Sequence, residues 1–210
     1  MPAAGCMTQN PDLRFEKELW LQYQHIAGLD EAGRGALAGP VSVGAVILPD
    51  DPRRLTSTLK GARDSKQMTP LARARLALQI KEVAVTWSVG FADAHEIDAQ
   101  GIVRATRLAA IRALHQFDIT PEYLLTDFRL ELPQLEISQT SLVKGDARCL
   151  SIACASILAK TERDALMLEL DAQHPGYGLG KHKGYGTQAH RSALTRFGAS
   201  PIHRKTFRFK

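Results

Sequence analysis

The 210-residue chain is poor in cysteine, in aromatic residues and in long apolar runs, and its last 39 residues contain no Asp or Glu. Each shortage excludes something. Cys6, Cys149 and Cys154 lack CxxC spacing and supply neither a disulfide framework nor a zinc site. Cys149 and Cys154 lie in an apolar segment and are expected as small core residues. No apolar run approaches the ~20 residues that span a bilayer. The N-terminus, MPAAGCMTQNPDLRFEKE, has neither the basic start nor the apolar middle of a signal peptide, so a cytoplasmic protein is expected, with no membrane contact. From Ala172 to Lys210 there are eight Lys/Arg and no Asp or Glu, which places the whole positive excess of a +5 chain at its C-terminal end. Segregated charge of this kind is an electrostatic footprint for polyanions, nucleic acid first. A solubilising surface is the plainer alternative.

What the chain has is an ordinary globular composition, 44% apolar and 23% charged, with enough length for one domain and a substantial core. Residues 1–20 are expected to form a tail leading into a short helix or loop, and residues 21–210 the domain. Gln24–Asp30 and Val41–Leu48 have the character of strands, separated by glycines and Pro40. Pro49-Asp50-Asp51-Pro52 is a turn, followed by a polar connection containing Asp64-Ser65-Lys66. Thr69-Pro70 starts a helix with a cap and a first-position proline, and Leu71, Ala74, Leu78 and Val83 trace part of its apolar face. Val85–Ala92 is a third strand. Asp93 and Glu96 form a capping-box start for a helix in which Gly101 is a weak point. Tyr123–Asp127 is a short buried strand, Gln139–Lys144 a fifth, and about 147–170 a long helix. A glycine-rich loop at 174–186, a helix at 187–197 and a basic tail complete the chain. This order predicts an α/β protein built on a mixed five-stranded sheet flanked by helices.

In open sheets of this kind, ligands sit at strand carboxyl ends, where this chain places Asp30-Glu31, Asp127 and Asp146. Singly, each acid has a dull explanation: Asp30 paired with Arg34, Asp127 starting a turn, Asp146 capping the next helix. Together at one sheet edge they would repel by several kcal/mol at an effective dielectric of ~20. Hard divalent cations remove that cost, and Mg²⁺ or Mn²⁺ suits an all-carboxylate site. Two such ions activate a water and stabilise the leaving oxygen of a phosphodiester. Gly33-Arg34-Gly35 follows the first pair of acids, and GRGALAGP lacks the GK[ST] of a P-loop.

Six segments in this order carry a family likeness: GLDEAGRG with Gly39-Pro40-Val41, Asp64-Ser65-Lys66, Leu125-Thr126-Asp127, KGDARCLSIACASILAKTERD from Lys144, HKGYGT from His182, and Pro201-Ile202-His203-Arg204. From about residue 20 onward the chain resembles the ribonuclease HII (type 2 ribonuclease H) family. The resemblance implies a ribonuclease H-like sheet with additional C-terminal helices. It implies endonucleolytic cleavage of RNA in RNA–DNA hybrids and of single ribonucleotides in duplex DNA, on the 5′ side, leaving 3′-hydroxyl and 5′-phosphate. Asp30, Glu31, Asp127 and Asp146 fall on that family's metal-binding carboxylates, with two Mg²⁺ or Mn²⁺ ions in the substrate complex and Asp30 the ligand shared between them. Gly33, Arg34 and Gly35 fall on the segment that contacts the ribose 2′-hydroxyl, and Tyr185 on the tyrosine that contacts that hydroxyl and stacks on the next sugar. Lys66 falls near the substrate phosphates. The partners implied are RNA–DNA hybrid and ribonucleotide-containing duplex, bound by a monomer without an obligate protein partner.

The chemistry is coherent with the residues: the 2′-hydroxyl distinguishes RNA from DNA, and glycines let backbone approach it. Arg34 either binds phosphate or balances the acids, Tyr185 could instead pack on the long helix, and His182, His190 and His203 either touch phosphate or sit on the surface. Phe128 departs from the glycine common after the family's third acid, which would be costly if that position needed positive φ. Alternatives are a non-catalytic hybrid-binding module on the same fold, the related type 3 family, for which the stretch before Gln24 leaves little room, and a two-carboxylate glycosidase, which leaves the basic tail unexplained.

Overall fold

Five strands are built from the β-branched and small-residue runs, in a computed structural model that describes residues 10–128 and 130–207. Cys6 and the first nine residues of the expected tail lie outside the described residues. β1 (Ile26–Ala32), β2 (Val41–Ile47) and β3 (Thr86–Ala92) form an antiparallel meander. β4 (Tyr123–Asp127) and β5 (Ser138–Leu142) add in parallel on the other side of β1, giving the order β3-β2-β1-β4-β5. The mixed sheet is as the element order predicts.

Helices cover both faces, and small residues decide where they lie. In α6 (Leu150–Gln173), Ser151, Ala155, Ala159, Arg163 and Met167 recur every four residues and all are buried, as one face of a helix requires. A side chain at Gly44 of β2 would meet the Ala155 carbonyl at 2.3 Å, so the glycine lets α6 lie directly on the strand. On the opposite face, α5 (Ile102–Leu114) approaches Gly90 of β3 equally closely, with the Ala109 carbonyl 2.1 Å from where a Cβ would be. Two apolar layers result, one around Leu55, Leu76, Ile80 and Leu158, the other around Leu29, Val43, Ile97 and Ala109.

Several boundaries differ from expectation. β1 continues two residues past Asp30, because Glu31 and Ala32 still pair with Val43 and Ser42 of β2. The turn at Pro49–Pro52 leads into a helix the sequence pattern does not reveal, α2 (Pro52–Thr58), capped by Asp51. The capping box of Asp93 and Glu96 starts α4 (Ala94–Gln100), and Gly101, at φ 79°, separates it from α5. Thr69 caps α3 (Pro70–Val83) as expected. Of its predicted apolar face only Val83 is buried: Leu71 and Leu78 are exposed, at 83% and 69%, and Leu76, Ala77 and Ile80 are buried in their place. Arg73 joins that buried side by donating to the Ser65 carbonyl and pairing with Asp164 of α6, which a hydrophobic count misses.

A short N-terminal helix, α1 (Arg14–Leu19), buries Glu16 against the start of α6. Its carboxylate accepts from the Ser151 amide at 2.7 Å and from the Cys149 thiol at 3.0 Å. It therefore serves a helix start that has no side-chain cap of its own. Cys149 and Cys154 are free and fully buried, as small core residues. Within the last fifth, α7 (Leu179–His182) interrupts the glycine-rich loop and α8 (Gln188–Phe197) is capped by Thr187. No described helix is long and apolar enough to cross a membrane.

Candidate active site

β1 pairs with β4 only as far as Leu29 opposite Thr126. Beyond that point Asp30 and Glu31 border a notch whose other side is Asp127, the last residue of β4. Successive side chains on a strand point to opposite faces, yet ligand atoms of Asp30, Glu31 and Asp127 lie within 4.8 Å of one another. Asp30 is 3% exposed. One of its oxygens accepts from the Glu31 amide at 2.7 Å, while Oδ2 is buried without a partner. Glu31 Oε2 is likewise buried and unpartnered. Asp127 Oδ1 accepts from the Gly145 amide at 2.7 Å, which ties β4 to the turn carrying Asp146.

The crowding has the electrostatic consequence expected of buried like charges. Burial, then the charges of Glu31 and Asp127, hold the Asp30 carboxyl well above the ordinary range. Burial also raises Glu31, although the Arg34 guanidinium beside it works in the other direction. Asp146 is pushed up to about 6 by burial and by Asp64 and Asp127. It stands in a single turn at Gly145–Ala147, close enough to feel the other acids but outside the tight group of three. It does not cap α6, whose N-cap is Cys149.

Lys66 projects toward this cluster from a turn at Ser65–Gln67. Asp64 accepts from the Lys66 amide, and Ser65 hydrogen-bonds Ser156 of α6 at 2.9 Å. Burial disfavours the Lys66 ammonium, but Asp30, Asp64, Asp146 and Glu31 outweigh it and raise its affinity for the proton. Arg34 reaches Glu31, not Asp30, at 3.4 Å. Phe128, half exposed, needs no left-handed backbone: the only described non-glycine residues at positive φ are Lys144 and Lys183.

Gly33 adopts φ 83°, and a Cβ there would collide with Arg163 at 1.9 Å. Gly35 differs, being exposed, with nothing within 4 Å of where a Cβ would stand. The amides of Arg34 and Gly35 have no acceptor among the described residues. The loop is backed by two buried arginines. Arg163 donates to the carbonyls of Pro40, Lys183 and Ala38. Arg204 donates to those of Gly39, Arg34 and Gly33. The segment carrying Tyr185 is laced to the same loop, since the Leu37 amide donates to Gly184 at 2.8 Å. The partly buried Tyr185 ring lies 5.6 Å from the Arg163 guanidinium and 5.7 Å from the Lys160 ammonium, both on α6.

Two of the three histidines singled out in the sequence are not surface residues. His190 and His203 are buried, at 0% and 3% exposure. The Ser200 amide donates to His203 Nδ1, so in the neutral ring His203 Nε2 carries the proton toward His190 Nε2, 3.0 Å away. His190 Nδ1 is then the donor to the Tyr185 carbonyl. Burial, reinforced by His190, pushes His203 down to about 4. His182 stacks on His190 at 4.4 Å.

A sequence profile described as Ribonuclease HII matches residues 27–210. The chain belongs to the ribonuclease HII family. It is 51% identical to the ribonuclease HII of Dehalococcoides mccartyi, over 99% of this chain and 95% of that protein. Identity to the Thermus thermophilus enzyme is 49%, over 92% of this chain and 91% of the relative. The fold superimposes on ribonuclease HII of Archaeoglobus fulgidus, solved in complex with PCNA, with a TM-score of 0.74 at 25% identity, covering 89% of this chain and 96% of that one. The protein is thus a hydrolase, a ribonuclease H acting on RNA–DNA. The family's use of divalent metals fits the residues present: three convergent carboxylates, two of them with buried unpartnered oxygens, and no histidine or cysteine among them.

Sequence reasoning misses the roles of Arg163 and Arg204. A signal for Arg163 is present, because it continues the four-residue series of small buried positions on α6. Arg204 is marked only by its place in the Pro201–Arg204 segment of the family likeness, and its role is not, since its partners are backbone carbonyls 165 or more residues away.

Proposed function

We propose that this protein nicks duplex DNA on the 5′ side of an embedded ribonucleotide and cuts the RNA strand of hybrids, leaving 3′-hydroxyl and 5′-phosphate ends. The observation that carries this reading is the adjacency of two unlike features. One is a carboxylate notch in which Asp30 Oδ2 and Glu31 Oε2 are buried without a partner among the described residues; the other, a few residues on, is a glycine loop whose Arg34 and Gly35 amides have no acceptor there. Asp30, Glu31 and Asp127 would hold divalent metal, with Asp146 a further ligand at the edge. When bound, Mg²⁺ or Mn²⁺ supplies an activated water and neutralises charge on the leaving oxygen.

The chain's own residues do the rest. Arg34 and Gly35 offer amide donors to the 2′-hydroxyl oxygen, a contact that a deoxyribose cannot make. Tyr185 presents a ring and a hydroxyl next to that loop and stacks on the neighbouring sugar. Lys66, kept protonated by the acids, meets a phosphate oxygen as a point charge. The enzyme acts as a monomer in the cytoplasm, and its acid-free C-terminal fifth adds general attraction for the duplex.

Incubation with Mg²⁺ or Mn²⁺ and a duplex carrying one ribonucleotide should give a single nick 5′ to it. An all-DNA duplex of the same sequence should remain intact. Binding of the ribonucleotide duplex without metal-dependent nicking would favour a non-catalytic module.

A further inference from the structure

Arg204 is 2% exposed, its guanidinium faces no carboxylate within hydrogen-bonding distance among the described residues, and it spends all three of its nitrogens on one loop. Nη2 donates to the Gly33 carbonyl at 2.8 Å and Nη1 to the Arg34 carbonyl at 2.9 Å. Nε donates to the Gly39 carbonyl at 3.0 Å, where the loop closes into β2. In a trans peptide, the carbonyl and the following N–H point in opposite directions. Holding the Gly33 carbonyl therefore aims the Arg34 amide away from Arg204, and holding the Arg34 carbonyl does the same for the Gly35 amide. These are the two amides that lack acceptors, and one of them belongs to the glycine with open space above it.

We propose that Arg204 is a specificity-determining positioning residue: its planar fork fixes two consecutive peptide planes so that the Arg34 and Gly35 amides converge on the ribose 2′-hydroxyl. This rests on the reading of that loop as the ribose contact. Arg204 does not touch substrate itself; it faces the opposite side of both peptides. Successive amides held in parallel make a concave donor site, and the fork matches two carbonyls where a lysine ammonium, a single flexible point charge, cannot. Arg163 has a different task, because its carbonyl partners lie at Ala38, Pro40 and Lys183, outside the amide pair. The Arg204 backbone adds a register pin, its amide donating to Leu37 at 2.9 Å.

The test compares wild type with Arg204→Lys on duplexes bearing a single ribonucleotide or a single 2′-fluoro nucleotide, together with affinity for all-DNA duplex. Wild type should cut the ribonucleotide and spare the fluoro analogue. Arg204→Lys should lose about 100-fold in kcat on the ribonucleotide, the scale of a misaligned contact. Its affinity for all-DNA duplex should stay within about twofold of wild type, since the positive charge is retained. Wild type cutting both substrates equally would overturn the ribose reading itself. A folded Arg204→Lys with unchanged kcat and discrimination would overturn the role of Arg204 alone. If that variant does not fold, amide spectra of the Asp30→Asn protein decide. The Arg34 and Gly35 resonances should shift together on adding the ribonucleotide duplex and not with all-DNA duplex; movement of one without the other contradicts a two-plane clamp.

Discussion

Two regions of this molecule bury like charges close together, and they do so in opposite ways. In the notch, Asp30, Glu31 and Asp127 crowd their carboxylates and leave two buried oxygens without partners. Behind the neighbouring loop, Arg163 and Arg204 bury two guanidiniums, each satisfied by three backbone carbonyls. Buried polar groups are normally hydrogen-bonded, so the second region follows the rule and the first breaks it. Satisfied charge holds the loops in place, whereas unsatisfied charge leaves oxygens available to a ligand. The two meet at Gly33, where Arg163 packs against a glycine only two residues beyond Glu31.

The largest effect should come from neutralising one acid. Asp30→Asn should lower cleavage by at least about 1,000-fold, because it removes a metal ligand, while leaving duplex affinity nearly intact. Normal turnover by this variant would show that the notch is not the metal site. In the guanidinium region the sign for stability is reversed. Arg163→Met leaves three carbonyls without donors and should cost roughly 3 kcal/mol or more, read as a lower denaturant midpoint. An unchanged midpoint would break the contrast.

Proton linkage separates the regions again. The unfolded chain protonates His203 near pH 6.5, whereas the folded protein does so only near 4, through burial and the neighbouring His190. Between these values the unfolded state binds more protons, so stability should fall as pH drops from about 6.5 to 4, by order 3 kcal/mol from this group. His203→Gln should flatten that limb in thermal melts across the range. The notch works in the other direction: Asp30, with its carboxyl raised, costs stability as pH rises above the ordinary carboxylate range.

A smaller effect isolates function from folding. Gly35 has neither positive φ nor a neighbour within 4 Å, so Gly35→Ala should keep stability within about 0.5 kcal/mol of wild type. The same methyl intrudes where a ribose would approach, and ribonucleotide cleavage should fall about tenfold or more. Gly33→Ala, by contrast, must both collide with Arg163 and strain the backbone, so its loss of activity would be uninformative.

The contrast also explains what is legible in the sequence. Strands, caps and the strand-end acids are readable because alternation, capping boxes and terminal carboxylates are local patterns. Tyr123–Asp127, the Thr69 cap and the Asp93–Glu96 box lie where the pattern puts them. The apolar face of α3 is misplaced by the pattern because Arg73, satisfied by Ser65 and Asp164, occupies a position that hydrophobicity assigns to solvent. The burial of His190 and His203 escapes the surface reading for the same reason: a buried pair is defined by partners 13 residues apart, not by local composition. Arg204 is the least legible, since its role exists only after the chain has returned to Gly33.

The central claim is that the notch is electrostatically unsatisfied until a cation fills it. Melting wild type and Asp30→Asn with and without Mn²⁺ tests it most directly. Without metal, Asp30→Asn should melt higher than wild type, having lost a buried, repelled carboxylate. With Mn²⁺, wild type should rise and the variant should not. A metal-free variant that melts lower than wild type, or equal stabilisation of both proteins by Mn²⁺, would contradict the claim.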